Sequence, residues 1–145
     1  MALELDGKAA VEQLLLRLFY ALDTRDYAGV VSSFHEDGTW LRMGKRLVGP
    51  AQMRQALEQR SETMVIHHVI TNVLFEEADA SRCSLVCYLT AYRHDSGKRI
   101  AGPAPLSGPA QVGICRAEAT RKSAAEGWRL SYLNADGPTF LSAAP

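Results

Sequence analysis

Apolar residues recur early in the chain at steps of three and four: Val11, Leu14, Leu15, Leu18 and Leu22. That spacing places them on one stripe of an α-helix, and Phe19 widens it. The stripe predicts a helix over Asp6 to Asp23, with the Asp6 carboxylate able to cap its first backbone N–H groups. A shorter helix is predicted from Tyr27 to Phe34, with Asp26 as its cap and Tyr27, Val30, Val31 and Phe34 as its apolar face. Glu36-Asp37-Gly38 reads as a turn into a strand, Thr39 to Met43, and Gly44-Lys45 turns the chain back through Arg46 to Val48. Gly49-Pro50 opens a third helix, Ala51 to Gln59, because the N–H that proline lacks would have no partner in a first turn.

Beyond Arg60 the pattern changes. Met64 to Phe75 is rich in the β-branched residues that favour strands, and Glu76 to Asp79 is a polar turn. Ser81 to Arg93 is a second long strand. Asp95 to Pro109 holds Gly97, Gly102, Pro103, Pro105, Gly108 and Pro109, a density of breakers that predicts a mobile loop. Ala110 to Arg121 and Trp128 to Ala135 are the last strands, joined by a turn over Lys122 to Gly127. Helices first and an antiparallel meander afterwards give the α+β class, with one sheet face covering the helices and a pocket at the open end of the curl. No internal repeat is visible, and residues 1–145 fit one domain.

Composition narrows the function. Hydrophobic residues make up 47% of the chain, enough for a packed core. Lys plus Arg and Asp plus Glu each number 16, so the formal charge is zero. A dedicated nucleic-acid binder needs a cation surplus, so none is expected. The apolar run at Leu14 to Leu16 is broken by Arg17, and no segment approaches the ~20 residues of a membrane span. The start, Met-Ala-Leu-Glu-Leu-Asp, lacks a basic region ahead of a hydrophobic one, and the three cysteines form no CxxC. A reduced, cytoplasmic protein without a membrane partner is the expectation.

Four segments carry a resemblance: Phe19-Tyr-Ala-Leu-Asp-Thr-Arg-Asp-Tyr27, Phe34-His-Glu-Asp-Gly-Thr-Trp40, Val48-Gly-Pro-Ala-Gln-Met-Arg54 and His67-His-Val-Ile-Thr-Asn72. In this order and spacing the chain resembles the SnoaL-like branch of the nuclear transport factor 2-like superfamily. The resemblance implies a cone-shaped α+β barrel, three N-terminal helices packed in a curved, mainly antiparallel sheet around a deep apolar pocket. It implies a homodimer as well. Relatives include scytalone dehydratase, ketosteroid isomerase, limonene epoxide hydrolase and dioxygenase small subunits, so the function has to come from the site.

Asp23 and His68 are the catalytic candidates. Asp23 sits in the last helical turn, where the dipole disfavours a carboxylate; it is a surface residue paired with Arg25, a residue that helps cap the next helix, or one aimed into the cone mouth. The latter resembles the scytalone dehydratase helix end, whose Asp orients a catalytic His. His67 and His68 are neighbours in a strand, so only one can face the pocket. The family pattern "His-x-x-x-Asn" assigns that face to His68 and Asn72 and turns His67 outward. A carboxylate on one ring nitrogen raises the basicity of the other, which suits proton abstraction beside a carbonyl or activation of a water. Tyr20, Trp40 and Tyr88 are further candidates for the pocket lining.

The other relatives fit less well. The ketosteroid isomerase tyrosine would fall at Leu18 and its base near Leu41 or Arg42, while the strands carry few acids for an epoxide hydrolase. Cys83 and Cys87 share a strand face at roughly 13 Å, too far to bond each other or share a metal. The four histidines, His35, His67, His68 and His94, show no chelating spacing, so no metal and no cofactor are expected. The resulting expectation is a cofactor-free lyase or isomerase acting on an apolar, aromatic or polyketide-like molecule held in the cone. An alternative stays open: a non-catalytic ligand-binding module, or the small (beta) subunit of a ring-hydroxylating dioxygenase with an oxygenase large subunit as its partner.

Overall fold

The structure, a computed structural model, describes residues 7–143. The first apolar stripe forms α1, Gly7–Asp23, and buries Val11, Leu15, Leu18 and Leu22. The Asp6 cap lies outside the described residues. The helix stops where Arg25 takes a left-handed backbone, φ 64°. Asp26 N–H then bonds the Ala21 carbonyl and Arg25 N–H that of Leu22, the paired bonds of a Schellman ending. A short helix α2, Tyr27–Ser32, follows at once, capped by the Asp26 carboxylate on Gly29 N–H at 3.0 Å. The third helix, α3, spans Gly49–Glu58 and buries Met53 and Leu57.

Seven strands make one curled, unclosed, mainly antiparallel sheet: β1 Phe34–Arg42, β2 Lys45–Val48, β3 Val65–Ala78, β4 Arg82–His94, β5 Gln111–Thr120, β6 Arg129–Asn134 and β7 Pro138–Leu141. The order is β2-β1-β6-β5-β4-β3, with β1 and β6 parallel and β7 also paired to β5. Inward positions of β4, Cys83, Leu85, Cys87 and Leu89, join the helical stripe in one core together with Cys115, Ala117 and Ala119 of β5, and Ala91 is buried as well.

Three expectations need correction. Glu36-Asp37-Gly38 is no turn; it is an irregularity inside the continuous β1, where the register with β6 shifts between Phe34 and Thr39. Gly38 is required at that point, since a Cβ would stand 2.9 Å from the His35 carbonyl oxygen and 3.0 Å from that of Leu130. β3 runs on through the acidic stretch to Ala78. The last strand was not foreseen: Gly137, at φ 77°, re-aims the chain so that β7 covers the start of β5 that β6 does not reach.

Candidate functional site

β3 is the edge strand of the sheet, so its outer row of N–H groups has no strand partner. At His68 the end of α1 supplies one. Asp23 Oδ2 accepts the His68 backbone N–H at 2.8 Å, and Oδ1 accepts from the ring Nδ1 at 2.5 Å. These two bonds offset the unfavourable placing of a carboxylate at a helix C-terminus. Both side chains are only 10% exposed. A carboxylate offers nothing but lone pairs, so Nδ1 carries a proton, and in the neutral ring Nε2 is the nitrogen with the lone pair. Nε2 has no hydrogen-bond partner among the described residues. The Phe19 ring, 5.1 Å away and tilted by 42°, packs on the imidazole and limits its rotation. Across the strand pair His68 faces Ala91, and Ala91 faces Gln111.

The remaining candidates do not join this pair. Asn72 stands at φ 55° in a bulge where the β3–β4 register shifts between Thr71 and Leu74. The extra residue reverses the alternation: Ile66, His68 and Ile70 point inward, and then Val73 and Phe75 take over, which leaves Asn72 exposed. Tyr20 is 72% exposed on α1, and Tyr88 is 50% exposed because it lies on the outward-facing parity of β4. Trp40 is only 1% exposed and belongs to the core, its ring stacked 5.8 Å from Phe34. His67 is exposed, in keeping with the expected outward face.

A cavity of about 630 Å³ opens beyond the end of α1, and neither Asp23 nor His68 lines it. Its wall includes Arg25, Tyr27, Leu57, Arg60, Met64 and, from the loop between β4 and β5, Arg99 and Ile100. Arg25 Nη2 donates to the carbonyls of Ser61 and Met64 at 2.7 and 2.8 Å, and Arg60 Nη1 donates to that of Leu22 at 2.8 Å. Nothing in the linear spacing points to this group, because its members come from three separate segments, residues 25–27, 57–65 and 99–100.

The cysteines form another pairing that spacing along one strand does not reveal. Cys87 and Cys115 are direct partners across β4 and β5, both buried as free thiols. The hydrogen bond that the Cys115 thiol donates to Cys87, together with burial, pushes Cys115 well above its ordinary range, and the same bond lowers Cys87. Burial raises Cys83 as well. No group of three or more His, Cys, Asp or Glu that could hold a metal occurs among the described residues. No helix among them is long and apolar enough to cross a membrane.

Comparison with known proteins agrees with this architecture. The profile of the SnoaL-like domain matches residues 3–134. No curated protein matches the chain. A candidate scytalone dehydratase from Novosphingobium aromaticivorans superposes with a TM-score of 0.73 at 14% identity, covering 93% of this chain and 85% of that one. Hexachlorocyclohexane dehydrochlorinase LinA-type3 from Novosphingobium barchaimii gives 0.72 at 16% identity, over 94% and 88%. A nuclear transport factor 2-like protein with a cystatin-like fold from Novosphingobium aromaticivorans gives 0.69 at 17%, over 91% and 84%. At these identities the likeness establishes the fold.

Proposed function

The chain belongs to the SnoaL-like domain family, and we propose that it is a cofactor-free acid/base enzyme, a lyase or isomerase acting on an apolar, aromatic or polyketide-like molecule. The observation that carries this reading is the contact of Asp23 with His68 through both the ring and the main chain. With Nδ1–H held by the carboxylate, Nε2 is a base. It takes a proton from a carbon next to a carbonyl or a leaving group. The C–H electron pair forms the new double bond or enolate, and in an elimination the leaving group departs with its own pair. The imidazolium that results is stabilised by Asp23, which need not itself accept the proton. The names of two structural neighbours, a dehydratase and a dehydrochlorinase, both denote eliminations, which supports this class of reaction.

The test is a panel of apolar β-hydroxy ketones and β-halo compounds, followed by the absorbance of the conjugated double bond formed or by halide release. A substrate turned over by the protein should lose about 10²–10⁴-fold in rate on His68→Ala. Asp23→Asn should cost less, and the double variant little more than His68→Ala alone, because the two act as a unit. Turnover that survives His68→Ala unchanged would remove the dyad from the chemistry.

We propose in addition that two copies associate through the outer sheet face. Support comes from Val69, Leu74, Tyr88, Ile114 and Phe140, all exposed on neighbouring strands. The Arg116–Glu76 ion pair lies at the edge of the patch. Such a face suits a self-complementary twofold contact.

A further inference from the structure

The cavity beyond α1 is built around one phenol. Tyr27 Oη accepts from Arg25 Nη1 at 3.2 Å and from Arg60 Nη1 at 3.3 Å. Both its lone pairs are thus used, and its hydrogen has no acceptor among the described residues. The Arg60 guanidinium lies 5.6 Å over the Tyr27 ring, and its Nε is buried with no partner. None of Arg25, Arg60 and Arg99 makes an ion pair among the described residues. Glu58 and Glu62 also line the cavity but are exposed and stay out of ion-pair range of these cations. A further cation stands close by: burial first, and the Arg60 charge second, lower the pKa of Arg42. Arg25 also occupies a left-handed position where glycine is favoured, a backbone cost accepted at a residue whose side chain reaches the cavity wall.

Unpaired cations and a donor-only phenol call for an oxyanion. The rest of the wall calls for something apolar: Leu57 is buried, and Met64, Val65 and Ile100 face the same space. About 630 Å³ is within the range of small-molecule sites. We propose that this cavity binds a small organic acid with an apolar body, its carboxylate held by Tyr27 Oη–H and the Arg60 guanidinium and closed over by Arg99. The site is separate from the Asp23–His68 pair, and the proposal does not depend on that pair being catalytic.

The probe is 2-naphthoate, titrated calorimetrically into the whole protein beside its uncharged analogue 2-naphthamide and inorganic phosphate. 2-Naphthoate should bind at least about tenfold more tightly than the amide, since a hydrogen-bonded charge supplies that margin over a neutral group, and more tightly than phosphate, which has no apolar body to bury against Leu57, Met64, Val65 and Ile100. Arg60 also holds the Leu22 carbonyl, so Arg60→Leu risks the fold; Arg99→Ala and Tyr27→Phe test the site instead. Each should weaken 2-naphthoate several-fold and 2-naphthamide by less, since the amide lacks the charge. The amide signals of Met64, Val65 and Ile100 should shift on binding. No 2-naphthoate binding at millimolar concentration, equal affinity for the amide or for phosphate, or indifference to both substitutions would overturn the proposal.

Discussion

At the scale of residues, Asp23 has a structural as well as a chemical task. It takes the His68 backbone N–H at the sheet edge in addition to the ring. Asp23→Ala should therefore lower stability by about 1–3 kcal/mol in urea unfolding, the cost of a polar group left without its partner. Asp23→Asn keeps an acceptor and should lose less. Both residues and their mutual contact were legible in the sequence, from a helix-end carboxylate and a strand histidine on a familiar pattern. The thiols were half legible. Cys87 pairs with Cys115 across strands, not with Cys83 along one. All three cysteines are buried. They should resist a disulfide reagent in the native protein and react on unfolding; fast labelling of the native state would contradict this packing.

At the scale of elements, the bulge at Asn72 and the loop after β4 decide what the site contains. Alternation alone puts Asn72 beside His68, and one extra residue undoes it. Asn tolerates a left-handed backbone, whereas Asn72→Val should cost about 1–2 kcal/mol by destabilising the bulge. The loop is tied at its root by Asp95, which accepts from Thr63 Oγ1 at 2.6 Å and Gly97 N–H at 3.1 Å. The Ser61 hydroxyl first, then that of Thr63 and the Gly97 N–H, lower its pKa from 3.8 to about 2. A depressed carboxylate stabilises the fold above its unfolded pKa, and the contribution is lost as pH falls through the folded value. Hydrogen exchange at residues 96–100 should thus accelerate between about pH 4 and pH 2, and Asp95→Asn should abolish that dependence. The loop was readable from its glycines and prolines. Its meeting with Arg25, Tyr27 and Arg60 was not, because that cavity exists only once three distant segments converge.

At the scale of the whole molecule, periodicity and element order were enough to give the curled sheet over three helices. What escaped was decided by backbone contact, not by side-chain pattern: Gly38 pressed between two carbonyl oxygens, and Gly137 turning the chain into β7. The proposed dimer also belongs to this scale. Sedimentation at micromolar concentration should give a dimer in the wild type and a monomer in Ile114→Arg, since a charge at the centre of the apolar patch has no counterion there; a wild-type monomer would rule the contact out. The central claim is that Asp23 holds the His68 ring with Nδ1 protonated and Nε2 bare. Nitrogen-15 NMR of the neutral imidazole measures this most directly, without a substrate. The expected result is a proton on Nδ1 and a pyridine-type Nε2, with the ring signals moving on Asp23→Asn. A proton on Nε2, or ring signals indifferent to Asp23, would contradict it.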